Sequence, residues 1–73
     1  MDIAAEIRAE AARHNIGTAT LAERTGMSPA TVSRKTNGHS QITVEDLFKF
    51  AAALDVPASS LIGRAEHAEP AAA

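Results

Sequence analysis

The sequence predicts an all-α domain of five helices, three of them very short. Alanine, the strongest intrinsic helix former, recurs along the whole chain. There is no Trp or Tyr, and Phe48 and Phe50 are the only aromatic residues, which argues against a sheet. Capping residues and glycine stops recur at helix-length intervals. With 73 residues and no cysteine, a single core of Ile, Leu, Val, Phe, Met and Ala has to hold the chain without disulfides or thiolate metal sites. A chain this short buries only roughly 60% of its unfolded surface.

The first helix is predicted from Asp2, a suitable N-cap, to about His14. Ile3, Ile7 and Ala11 repeat at intervals of four and form a narrow apolar stripe. Glu6, Arg8, Glu10 and Arg13 are assigned to its wet side. Asn15 to Gly17 end it, with Ile16 turned inward. The second helix spans Thr18 to Thr25, capped by Gly17 or Thr18 and stopped by Gly26. Ser28 caps the third, and Pro29 occupies its first position, where a missing N–H costs nothing. Asn37-Gly38 closes that helix, and His39 to Ile42 form a linker. Thr43 caps the fourth, with Asp46 at the third position of a capping box. Val44, Leu47, Phe50, Ala51 and Leu54 supply its apolar stripe. Pro57 starts a last turn through Leu61 and Ile62. Residues 1–62 are expected to form the domain, and 63–73 a flexible or disordered tail, because periodicity stops at Gly63.

The net charge is −2, yet no acid lies between Glu23 and Glu45, where Arg24, Arg34, Lys35 and His39 all fall. One locally basic stretch therefore sits inside an acidic chain. No apolar run reaches the length of a membrane span, and the N-terminus lacks the layout of a signal peptide, so a cytoplasmic protein is expected. His14, His39 and His67 have no metal-ligand spacing, and no nucleophile triad, phosphate loop or carboxylate pair stands out. Neither an enzyme nor a cofactor is expected.

Two short helices joined by a glycine turn form a helix-turn-helix. Such a unit needs a small residue where its helices cross, and Ala22 is small. It needs a positive φ in the turn, and Gly26 supplies it. Met27 tucks into the core, and Leu21 and Val32 lock the two helices together.

The segments "IGTATLAERTGMSPATVSRKTNG" (Ile16 to Gly38) and "TVEDLFKFAAALDVPASSLI" (Thr43 to Ile62) carry a resemblance. From Ile7 to Ile62 the chain resembles the DNA-binding domain of the lambda repressor and Cro family, often called the XRE family. That resemblance implies a compact five-helix lambda-repressor-like domain, double-stranded operator DNA as ligand, and two-fold dimers. The sequence departs from the family pattern at Thr18 and Pro29, where glutamine is common. It departs again at Thr25 and Lys35, where apolar residues are usual. Lys35 and Thr36 together predict a third helix whose end packs loosely or leans toward DNA.

On that basis the exposed side of the third helix is expected to read bases in the major groove through Ala30, Thr31, Ser33 and Arg34. Thr18, Lys35, Asn37, His39 and Ser40 match the family's phosphate-contact positions. Arg34 is the main candidate for a bidentate contact with guanine. Phe48, beside the core stripe, is either a dimer contact or a satellite of the core, and Leu61 and Ile62 are the other candidates for a homodimer surface. The leading expectation is a stand-alone transcriptional repressor, such as a small phage immunity repressor or a Cro-like protein from phage or bacterial host. The alternative is a protein-interaction module, an antitoxin or adaptor, built on the same fold.

Overall fold

The computed structural model describes residues 2–67. The chain runs α1 (Ile3–Arg13), α2 (Thr18–Thr25), α3 (Pro29–Thr36), α4 (Val44–Ala53) and α5 (Ala58–His67), with no strand among the described residues. The caps account for most of these boundaries. Asp2 accepts from the Ala5 amide at 3.0 Å, Ser28 from that of Thr31 at 3.1 Å, and Thr43 from that of Asp46 at 3.0 Å. The Thr43 amide donates back to the Asp46 carboxylate at 3.0 Å, which completes the capping box.

Three C-termini end alike. Asn15, Gly38 and Asp55 take positive φ (55°, 79° and 57°). In each case the next amide reaches back over the last turn: Ile16 to Ala11 O, His39 to Arg34 O and Val56 to Ala51 O, at 2.9, 2.9 and 3.0 Å. This is the Schellman pattern, which satisfies carbonyls that a helix end leaves free.

Phe50, Ile7, Leu54, Leu61 and Val32 are the largest fully buried side chains, and with Leu21 and Ala22 of α2 they make one core that draws on all five helices. Leu61, a candidate homodimer contact from sequence, is therefore inside the protomer. Helix α2 packs on α3 and α4, α1 on α3 and α5, and α4 on α5. Ile3, Ile16, Met27, Ile42, Val56 and Ile62 pack at its margin.

The structure corrects the sequence reading in four places. Helix α5 does not stop near Ile62 but continues through Gly63 to His67. Ala65 is buried and the Arg64 guanidinium binds the Glu10 carboxylate, so packing against α1 overrides the glycine. The rest of the expected tail, 68–73, lies outside the described residues. Glu10, assigned to the wet side, is only 3% exposed. Val44 leaves the apolar stripe and is 70% exposed. The end of α3 is not loose: Thr36 is buried and its hydroxyl donates to Val32 O at 2.8 Å.

Glu10 binds Arg13 at 2.6 Å and His14 at 2.8 Å, and takes Arg64 from α5. The hydrogen bond from His14 is the main reason that its carboxyl lies below its ordinary value. Burial opposes the shift, and Arg64 and Arg13 add to it. A carboxyl whose folded value is depressed contributes stability above the unfolded carboxylate range and loses it as pH falls through the folded value. Glu10→Gln is therefore expected to lower stability at neutral pH by roughly 1–3 kcal/mol. It should also make the decline toward about pH 3 shallower than in the parent, as read by urea denaturation across pH.

Candidate nucleic-acid interface

Thr25 closes α2 with its hydroxyl on Leu21 O at 2.7 Å, and Gly26 follows in the left-handed region at φ 77°. The Thr25 hydroxyl also accepts from the Met27 amide at 3.3 Å, so the turn is bonded across its own bend. Leu21, Ala22 and Val32 are buried where α2 meets α3, and Met27 packs at the edge of that core. This arrangement fixes which side of α3 faces outward. With Val32 and Thr36 beneath, Ala30 and Arg34 are exposed and Thr31 and Ser33 are half-buried. The Ser28 hydroxyl binds that of Thr31 at 2.9 Å. Asn37 turns back to donate to Ser33 O at 2.8 Å.

Arg34 differs from every other strong cation in the chain. The seven Lys and Arg side chains all fall within the described residues. Arg8 donates to Thr36 O and Arg24 to Ala53 O. Arg13 and Arg64 bind Glu10, Lys49 binds Glu45, and Lys35 binds Asp46. Of these seven side chains, that of Arg34 alone has no hydrogen-bond or ion-pair partner among the described residues, and it stands on the outer face of α3. Its guanidinium thus presents five donors to an incoming ligand.

Lys35, one position along, has a different role. Its ammonium lies 2.7 Å from the Asp46 carboxylate and 3.0 Å from Gln41 O, with 17% of the side chain exposed. Matched by position to a phosphate contact, it turns instead toward α4. The same Asp46 oxygen accepts from Thr43 N, so one carboxylate holds the end of α3, the linker and the start of α4. The hydrogen bond from Lys35 is the first cause of the lowered Asp46 carboxyl; Thr43 contributes, and burial opposes it.

The other residues expected at phosphates fall in two places. Thr18 and Asn37 line a shallow cleft of about 250 Å³ with Arg8, Ala12, Ile16 and Gly17. Gly17 supplies no side-chain cap, so the first amides of α2 are left without one. Such a helix start favours an anion. His39 and Ser40 are exposed in the linker. Sequence reasoning missed Arg8, whose bond to Thr36 O crosses 28 positions and braces α1 against the end of α3. No spacing rule carries that signal. The described residues contain no group of three or more His, Cys, Asp or Glu able to hold a metal ion, and no helix long and apolar enough to cross a membrane.

A family model described as helix-turn-helix matches residues 10–61, a span from the end of α1 into α5 that contains both α2 and α3. No curated protein matches the chain.

Lys35 and Asp46 form a largely buried pair, so their contributions to stability should couple. Lys35→Met and Asp46→Asn are each expected to destabilise the fold, and the double variant to lose less than their sum. The coupling should be about 0.5–3 kcal/mol by thermal or urea unfolding; strict additivity would show that the pair does not hold the linker.

Proposed function

This chain belongs to the Cro/C1-type helix-turn-helix family, the XRE family, a family of DNA-binding regulators, and from that membership we propose that it is a sequence-specific transcriptional repressor acting on double-stranded operator DNA in the bacterial cytoplasm. The form proposed is a small phage immunity repressor or Cro-like protein. The observation that carries the proposal is Arg34, exposed and unpartnered on the face of α3 opposite Val32.

In the proposed complex α3 enters the major groove. Arg34 pairs with guanine O6 and N7, while Ala30, Thr31 and Ser33 contact the neighbouring base edges. Thr18, Asn37, His39 and Ser40, with the amides at the start of α2, position the domain on phosphates. Lys35 belongs to this set as the brace of the linker that carries His39 and Ser40. A module of this size covers only about 600–1,000 Å² of its own surface on DNA, so tight binding calls for two copies on a two-fold site.

A protein-interaction module, an antitoxin or adaptor, is the second reading. The exposure of Val44 and Phe48 on α4 favours it. Salt dependence separates the two readings.

So few free cations make for a shallow electrostatic term. Against a site selected from a random duplex pool, log K is expected to fall with log salt at a slope of about −1 to −2 per module. Arg34→Ala should cost roughly 1–3 kcal/mol on the selected site and leave binding to random duplex nearly unchanged, by fluorescence anisotropy. Equal weakening on both duplexes would move Arg34 from base to phosphate. No binding to any duplex at low salt would favour the protein-interaction module.

A further inference from the structure

Base edges in the major groove differ in which atoms accept hydrogen bonds and which donate them. Guanine O6, thymine O4 and purine N7 accept, while the amino groups of adenine and cytosine donate. The outward side of α3 is equipped for only one of these classes. Arg34 is exposed and unpaired, and a guanidinium donates but never accepts. The Ser28 hydroxyl accepts from the Thr31 amide at 3.1 Å and donates to Thr31 Oγ1 at 2.9 Å. The Asn37 amide nitrogen donates to Ser33 Oγ at 3.3 Å. Thr31 and Ser33 oxygens therefore already accept one bond each, and both keep an O–H to give. Ala30, exposed beside them, has no polar side-chain atom.

Acceptors are missing from the same side. Adenine is matched by the carboxamide of Asn or Gln, and the cytosine amino group by a carboxylate. Helix α3 has none of these four residue types. Asn37, its C-cap, is the nearest carboxamide in sequence, and it is folded back with its nitrogen on Ser33 O. A recognition helix meets bases with its N-terminal part, away from that cap. The start of α3 also carries the positive end of the helix dipole, which favours an acceptor.

We propose that α3 is an acceptor-only reader, which recognises a site by the keto oxygens of guanine and thymine and by purine N7 and makes no bond to the amino groups of adenine and cytosine. The inference rests on the DNA-regulator reading and narrows its ligand to a pattern of base atoms. Arg34 takes guanine O6 and N7, and the Thr31 and Ser33 hydroxyls donate to the oxygens of neighbouring pairs. Every base pair carries one keto oxygen, so sequence is read from the side of the groove on which that oxygen falls. Turning a pair round moves the oxygen across the groove and sets an amino group before a protein donor. Two donors then face each other, each stripped of water without a partner. Rejection of the wrong orientation thus contributes to specificity alongside attraction to the right one.

Atom-by-atom changes to the DNA test this with the parent protein, so no variant has to fold. A site is first selected from a random duplex pool. The pairs read are those at which Arg34→Ala, Thr31→Val or Ser33→Ala relaxes the preference. At those pairs 6-thioguanine and 4-thiothymine replace the keto oxygen by sulfur, a poor acceptor, and keep the pairing. Each should weaken binding about tenfold by fluorescence anisotropy, and reversing the pair at Arg34 should weaken it roughly 5- to 150-fold. Exchanging an adenine of the read pairs for 2-aminopurine removes the amino group from the major groove, and affinity should stay within about twofold, because no bond of the kind that discriminates bases is lost. A tenfold loss with 2-aminopurine, or no loss with the sulfur bases, overturns acceptor-only reading while the DNA-binding role stands. Absence of binding to every duplex at low salt would instead fail the DNA reading, and this inference with it.

Discussion

The left-handed backbone at Gly26 sets the direction of everything that follows it. At φ 77° the chain reverses between Thr25 and Ser28, and Val32 is brought beneath α2 as a buried wedge. No atom lies within 4 Å of where a β-carbon would stand at Gly26, so the requirement is one of backbone conformation and not of space. An L-residue in that region costs roughly 1–2 kcal/mol, a large share of the stability of a chain this size. Once the turn is made, burial of Val32 and Thr36 determines the outward side of α3. The position of Arg34 is a consequence of that packing.

Most of the charged residues hold the fold, and Arg34 is left free at the surface. Arg8, Arg24 and Arg64 each join two helices, to a carbonyl or to Glu10, and Lys35 joins α3 to α4. A hydrogen bond to an ionised group contributes more than a neutral one, which matters where the apolar core is small. The consequence is a weakly basic surface. The specific DNA contact proposed above would then depend on a few well-placed groups rather than on a positive field, in keeping with a net charge of −2. Arg34 and Lys35 are adjacent in sequence yet have opposite roles. One helical step of about 100° puts the first on the outer face and the second against Asp46.

The two ends of the domain show how far local signals reach. Ser28-Pro29, Gly26, Asn37-Gly38 and Thr43 with Asp46 all mark boundaries that the structure shows, because a cap acts through amides within one turn. Gly63 is a local signal of the same kind, and there it fails. Ala65 finds a buried place against the rest of the domain, and Arg64 reaches Glu10, 54 positions away. The glycine costs about 1 kcal/mol relative to alanine, which the packing of α5 on α1 offsets.

The sequence by itself determined the helix order, the glycine turn, the caps and the apolar face of each helix apart from Val44. These depend on backbone conformation and on contacts three or four residues apart. It also placed Arg34 on the exposed side of α3. Tertiary structure alone decided which charges are engaged and which face outward. Glu10, Arg8, Arg24 and Lys35 have partners 54, 28, 29 and 11 positions away. Their pairing follows from how helices stack, and no periodicity records it. The same stacking left Val44 and Phe48 uncovered, because α4 has neighbours in α2 and α5 on its other side only.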